Sequence, residues 1–251
     1  MGKLQDKVAV ISGASKGIGA AIAKAMAADG ASVVIGYASD VEGADAVVRS
    51  IASNGGRAVS RKTNVANEIE VTALFDLAIE MFGHVDILVN NAGVYNVHPI
   101  EEVNEPEFRR QFDTNVLGTL FMIKAAVGHF GVSGGSIVNI GSVNSVAGQA
   151  GMSVYSATKG AIDTITRSLA AELAPRNIRV NTLAPGATET EGIRSAGVMG
   201  SPFEQHVIDR TPLGRFGQPE DVAKVAVFLA SDDAGWVTGE WLSASGGFRP
   251  G

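Results

Sequence analysis

The sequence predicts an α/β protein built on one doubly wound parallel sheet of about seven strands, with helices on both faces. Three observations carry this. Short runs such as "VAVIS" (8–12), "SVVIGY" (32–37) and "GSIVNIGS" (135–142) are apolar at consecutive positions, as strands buried on both faces are. Segments with helical spacing separate these runs, and strand–helix alternation builds a parallel sheet covered on both sides. Glycines gather in the short joints between the two kinds of segment.

Element by element, the strand at 8–12 enters a Gly-rich loop and then the Ala-rich "AAIAKAMAADG", a helix closed by Gly30. The second strand, 32–37, precedes a helix ending near "SNGG". "RAVSRKTNV" (57–65) is a third strand and "DILVNNAG" (86–93) a fourth. A long helix is expected over 105–130, the fifth strand over 135–142, and a second long helix over 153–174. "IRVNTLAPG" (178–186) is the sixth strand; a helix near 219–231 and a strand in "EWLSASGG" (240–247) complete the chain. No linker, repeat or low-complexity tract divides it, so residues 1–251 read as a single domain. The stretch 186–216 breaks the alternation and reads as an inserted substrate loop.

Composition limits the function. With 251 residues, 45% hydrophobic and 18% charged, the chain can bury one large core. A formal charge of −6 and no basic run argue against nucleic acid as a partner. No window of 18 uninterrupted apolar residues suggests a membrane span. The chain has no Cys, and "MGKLQDKVAVISG" lacks the apolar run of a signal peptide, so a cytoplasmic location is expected. The four His, at 84, 98, 129 and 206, have no metal-ligand spacing, and no metal is expected.

Chemistry begins at "ISGASKGIGAAIAKAM". Gly13, Gly17 and Gly19 stand between the first strand and the first helix, in a G-x-x-x-G-x-G spacing. Gly lets backbone turn tightly against a pyrophosphate, and the helix N-terminus offers unpaired N–H groups and a positive dipole end. Ser15, Lys16 and Ile18 share this turn. At the end of the second strand, an acidic residue would accept from adenosine ribose hydroxyls and favour NAD. Here Gly36, Tyr37, Ala38 and Ser39 occupy the turn, and Asp40 comes too late in it. Lys16 can meet a 2′-phosphate, Ser39 can donate to it and Tyr37 can flank the adenine, which favours NADP over NAD.

"SGASKGIG" (12–19), "NNAG" (90–93), Asn115 in "DTNVLG", Ser142 in "NIGSVNS", "YSATK" (155–159) and "APGATET" (184–190) together resemble the short-chain dehydrogenase/reductase family. The likeness runs in order along nearly the whole chain. It is nearest the subgroup that includes 3-oxoacyl-[acyl-carrier-protein] reductases and glucose 1-dehydrogenases. It implies a Rossmann-type domain, a nicotinamide cofactor and interconversion of a ketone and a secondary alcohol. By the same resemblance, Asn115, Ser142, Tyr155 and Lys159 are the catalytic set. Tyr155 and Lys159, with Gly13, Gly17, Ile18 and Gly19, also meet the cofactor. Asn91, Ala92 and Gly93 lie beside the adenosine ribose, and Pro185, Gly186 and Thr188 around the nicotinamide carboxamide. Asn64, followed by Val65, stands where the family has an Asp that accepts from the adenine amino group; an amide oxygen can still accept. The resemblance also implies a homotetramer, for which "NVLGTLFMIKAAV" and "IDTITRSLAAEL" offer apolar helix faces.

Tyr155 and Lys159 are four residues apart, so on a helix they share a face. A free tyrosine has a pKa near about 10, and a neighbouring cation, with the positive charge of an oxidised nicotinamide beside it, draws it down toward working pH. Ser142, at the end of the fifth strand, can orient a carbonyl, and Asn115 is expected inside a helix, where Asn has poor propensity. Val94, Asn96, Asn144, Gln149, Met152, Ala187, Ile193 and Met199 are the expected substrate liners, mixed and small. A carrier-protein substrate would want basic surface near the site, and Lys124, Arg176 and Arg179 are what remains there, so an acyl-carrier protein stays open but weakly supported and a free ketone or alcohol is at least as much expected. Sugar oxidation of the glucose 1-dehydrogenase kind is one alternative. A silent nucleotide-binding regulator is another, though it would not need all four catalytic residues.

Overall fold

The computed structural model describes residues 2–195 and 197–248. Seven strands form one parallel sheet in the order β3-β2-β1-β4-β5-β6-β7. They are β1 (Val8–Ser12), β2 (Ser32–Tyr37), β3 (Arg57–Lys62), β4 (Ile87–Asn90), β5 (Gly135–Ile140), β6 (Ile178–Pro185) and β7 (Trp241–Ala244). The apolar runs become strands because both faces are covered. Helices α1 (Gly17–Ala28), α2 (Val41–Ser53) and α9 (Pro219–Ala230) supply one buried layer. Helices α3 (Glu68–Phe82), α5 (Gly118–His129) and α6 (Ser153–Leu173) supply the other. The chain is a single α/β domain, as its strand and helix pattern predicts. No described helix is long and apolar enough to cross a membrane.

The strand order reverses between β1 and β4. Connections from β1 lead outward to β2, and those from β4 lead the other way to β5. Open α/β sheets hold ligands in the crevice left at such a switch point, at the carboxyl ends of the strands. The Gly-rich turn and the "NNAG" segment stand on its two sides.

The strands are shorter than the apolar pattern suggests, and each shortfall has a local cause. β3 stops at Lys62 because the Asn64 side chain accepts from the Ala66 N–H at 3.1 Å, which turns the chain. β4 stops at Asn90 because the Ser12 hydroxyl takes the N–H groups of Asn91 and Ala92, at 3.1 Å each. β5 stops at Ile140, and Ser142 then caps a 3₁₀ turn over Val143–Ser145. β7 ends before Gly246 and Gly247, at φ of 63° and 86°. The helix expected over 105–130 is three pieces: α4 (Glu105–Phe112), a π turn over Asp113–Leu117, and α5. The 186–216 stretch carries two short helices, α7 (Glu191–Ser195) and α8 (Pro202–Asp209).

Phe75 on α3 is the largest fully buried side chain, stacked on His129 at 5.6 Å. Phe75→Ala is expected to cost about 3–5 kcal/mol, read as a lower urea midpoint with an unchanged slope. A loss under about 1 kcal/mol would mean the α3 layer is not packed as described.

Candidate active site

The turn between β1 and α1 is made by absent side chains. Gly13 and Gly17 lie at φ of 64° and 57°. A Cβ on Gly13 would sit 2.8 Å from Ala92 Cα, and one on Gly19 would sit 2.6 Å from the Gly13 carbonyl and collide with the Asn91 amide. That amide donates to the Ser12 and Gly13 carbonyls at 3.1 and 2.8 Å, so "NNAG" is stitched to the Gly-rich turn. The N-terminus of α1 has no side-chain cap and no acid in its first turn. Its N–H groups and dipole end face the crevice, an arrangement suited to a phosphate.

Around this cradle, Ser15 and Tyr37 are half-buried, whereas Lys16 and Ser39 are exposed. Asp40, read from the sequence as too late to matter, reaches back: its carboxylate lies 3.8 Å from the Lys16 ammonium and also caps α2 through the Gly43 N–H at 2.9 Å. Asn64 is exposed and its oxygen already holds Ala66, leaving one lone pair for any adenine. Val65 is buried against Gly118, where a Cβ would clash with it.

The four residues expected to do chemistry converge from separate elements. Asn115 does not sit in regular α-helix as expected. It lies in the π turn, whose wider backbone spacing changes the direction in which the side chain projects. Its oxygen accepts from the Val94 N–H at 2.8 Å, and its amide donates to the Val94 carbonyl at 2.8 Å and to Thr158 Oγ1 at 3.0 Å. Next to Thr158, Lys159 is 5% exposed and its ammonium donates to the Ile140 carbonyl at 2.7 Å. The same ammonium lies 5.7 Å from the centre of the Tyr155 ring and 3.7 Å from where a Cβ on Gly93 would be. Ser142 is buried, and its hydroxyl accepts from the Asn144 N–H at 3.1 Å.

The electrostatics differ from the expectation in one respect. In the protein alone, burial raises the Tyr155 phenol above its ordinary value, and hydrogen bonding with Ser142 only partly opposes this. The neighbouring lysine does not offset this where the phenol titrates, because burial lowers Lys159 to about 8, with Asp163 pulling the other way, and it sheds its proton before the phenol does.

The expected substrate liners divide into groups. Val94 is fixed by Asn115, while Asn144 donates to Gln149 at 3.1 Å and touches Met152 Sδ at 3.4 Å. Asn96 instead lines a small void with His98, Gln111 and Ser153, between the 94–99 loop and helices α4 and α6. Ala187 and Thr188 are tied to Gly217 by backbone pairing, and Pro185 ends β6. A Cβ on Gly186 would sit 2.9 Å from Ser245. Ile193 lies on α7, and Met199 follows it, half-buried.

Several residues at the site escaped sequence reasoning. Tyr95 sets its ring edge-on to Tyr155 at 5.9 Å; its place directly after "NNAGV" was the available signal. Ser12, Gly141 and Thr158 position others, and a role through another residue leaves no spacing to read.

The comparisons with known proteins agree with this geometry. The family model described as enoyl-(acyl carrier protein) reductase matches residues 13–249. An uncharacterized oxidoreductase of Methylorubrum extorquens is 54% identical, across 99% of this chain and all of its own length. A versicolorin reductase of Emericella nidulans is 40% identical, covering 98% of this chain and 96% of its own. A short-chain dehydrogenase from Burkholderia cenocepacia, solved in complex with NADP, superimposes with a TM-score of 0.91 at 35% identity, over 98% of each chain. The chain belongs to the short-chain dehydrogenase/reductase family and is an oxidoreductase of alcohol and ketone groups.

Asn115 satisfies both backbone groups of Val94 from a buried position. Asn115→Leu would leave them unpaired, at about 1–3 kcal/mol for each buried group. The Val94 amide is expected to lose hydrogen-exchange protection while β5 amides keep theirs. Unchanged protection at Val94 would show that the amide is not what holds the loop.

Proposed function

We propose that the protein interconverts a small ketone and a secondary alcohol with NADP(H), Tyr155 moving the proton. The observation that carries this is the buried Lys159 ammonium lying 5.7 Å from the Tyr155 ring, beside Ser142 at the end of β5. The crevice fits a dinucleotide: Gly13 and Gly19 have no room for a side chain, and the α1 N-terminus lacks a cap. Gly13 to Gly19 would hold its pyrophosphate and Asn91 to Gly93 its ribose. Pro185, Gly186 and Thr188 would face the carboxamide, with Asn64 and Val65 at the adenine. Lys16, Tyr37 and Ser39 would meet the adenosine phosphate, which, with the NADP complex of the Burkholderia cenocepacia relative, supports NADP over NAD. When bound, the nicotinamide supplies or accepts the hydride.

The residues of the chain do the rest. Ser142 donates to the substrate oxygen and shares its developing charge. Tyr155, held as a neutral phenol by burial, carries the proton that passes to that oxygen. Lys159 stays cationic below about 8 and steadies the phenolate that donation leaves. Asn115 fixes Val94, and through Thr158 the helix turn that bears Lys159.

Several features support a free small molecule over a carrier protein. Lys124 is paired with Glu68 at 2.7 Å, Arg176 bonds the Val127 carbonyl, and Arg179 bonds the Leu229 and Ser231 carbonyls. We also propose a cytoplasmic homotetramer; exposed Leu117 and Leu120 at the start of α5 suit a subunit contact.

A panel of ketones and alcohols that includes glucose, followed by NADPH absorbance, tests the reading; cofactor binding without turnover of any member would favour a silent regulator. Tyr155→Phe is expected to lower kcat by about 10²–10⁴-fold with cofactor binding retained. A near-normal rate would sink the proton-transfer role. Lys16→Ala is expected to raise the KM for NADPH roughly fivefold and leave that for NADH unchanged. Equal effects on both would overturn the 2′-phosphate contact. Reduction needs the phenol protonated and Lys159 charged, so its rate should hold through neutrality and fall as pH passes about 8. Oxidation needs the phenolate and should rise with pH; a reduction rate that climbs above pH 8 contradicts the assignment.

A further inference from the structure

Asp163 is a buried carboxylate that the chemistry above does not use. It is 6% exposed and lies four residues after Lys159 on α6, so Tyr155, Lys159 and Asp163 run along one stripe of the helix. One of its oxygens, Oδ1, is fully buried with no hydrogen-bond partner. A buried carboxylate without full pairing is costly and stays where something else compensates it.

Two features lead to it. The first is a chain of hydrogen bonds across the sheet. Asn90 donates to Asn139 at 2.9 Å, Asn139 to Thr166 at 2.9 Å, and Thr166 and Thr182 share a bond of 2.8 Å. Thr182, at the end of this chain, and Asp163 both lie against Gly141. The second is Gly141, between the Ile140 carbonyl that takes Lys159 and the catalytic Ser142. A Cβ there would meet the Thr182 methyl at 2.5 Å and Asp163 Oδ1 at 3.5 Å. The Thr182 methyl fills the space a side chain would take, and the carboxylate lies in contact beside it. In the same turn, Ser145 gives its hydroxyl proton to the Ser142 carbonyl at 2.9 Å.

We infer that Asp163 is a positioning residue: it balances the charge of buried Lys159 from one helical turn away. This rests on the proposed roles of Tyr155, Lys159 and Ser142. No direct ion pair is needed, since the ammonium is turned to the Ile140 carbonyl; at several ångströms in a poorly screened interior a counter-charge still acts. Lys159 faces only uncharged groups on other elements, the Ile140 carbonyl, Gly93 and, beyond it, Asn115. The titratable groups around the pair are Tyr155 and Asp163 on its own helix, Arg167 beyond Asp163, and Tyr95 across Tyr155. Burial raises the Asp163 carboxyl; Ser145, Arg167, Thr182 and Lys159 oppose that.

The test reads Lys159 directly. In protein labelled at lysine Cε, the Lys159 resonance, identified by its loss in Lys159→Arg, is titrated by NMR in wild type and in Asp163→Asn. Its midpoint is expected to fall by about one pH unit in the variant. The alkaline limb of the reduction profile should move the same way, with the rate at pH 6 within about threefold of wild type. An unmoved midpoint, or a uniform loss of rate at every pH, overturns the inference. Should Asp163→Asn not fold, the wild-type Asp163 carboxyl is titrated instead in protein labelled at aspartate Cγ. An ionised group at pH 7 supports the inference and a protonated one overturns it. Because the lysine titration needs no substrate, it stands apart from any failure of Tyr155→Phe to lose turnover.

Discussion

The site depends on how helix α6 is seated across the carboxyl ends of β4, β5 and β6. A helix packed on a sheet by apolar contacts alone can slide, because hydrophobic attraction has no direction. Here the seat is directional. Asn90, Asn139, Thr166 and Thr182 link two strands, the helix and a third strand through three buried bonds. Each such bond adds only about 0.5–1.5 kcal/mol net, but a displacement that broke one would strand buried polar groups at about 1–3 kcal/mol each. The register of α6, and with it the height of Tyr155 and Lys159 above the sheet, is fixed by that asymmetry.

A second constraint meets the first at Lys159. Its ammonium bonds the last carbonyl of β5, so the cation is anchored to the strand that presents Ser142. Asn115 approaches from the opposite side and holds Thr158 on the preceding position of α6. The π turn is what lets it arrive, since its wider backbone spacing changes the direction in which the side chain projects. The polar groups of the site are therefore held from a strand end, a distorted helix and a loop together. Nothing in that arrangement depends on the identity of the substrate, which suits a family whose relatives act on different molecules.

Much of this was legible in the sequence. The buried strands announced themselves because covering both faces leaves consecutive apolar positions, and Gly13, Gly17 and Gly19 because a tight turn excludes side chains. Tyr155 and Lys159 were legible because helical spacing turns four residues into adjacency. What stayed hidden is long-range. No local pattern says that Asp40 bends back to Lys16, that Ser12 ends β4 by bonding Asn91 and Ala92, or that Gly141 is small because Thr182 stands over it. The π turn is invisible for the same reason. Residues 105–129 have an acceptable helical pattern, and only the pull of Val94 and Thr158 on Asn115 separates them into pieces.

In the protein alone, the Tyr155 shift runs opposite to the one a neighbouring cation suggests, on physical grounds that generalise. Proximity to a cation was weighed and burial was not, although the same enclosure that brings the two groups together also strips water from both. Desolvation disfavours the phenolate and the ammonium alike, so enclosure drives the pair toward neutral partners unless another charge enters. A neutral phenol is the form with a proton to give, so burial holds Tyr155 in the state that the proposed reduction starts from.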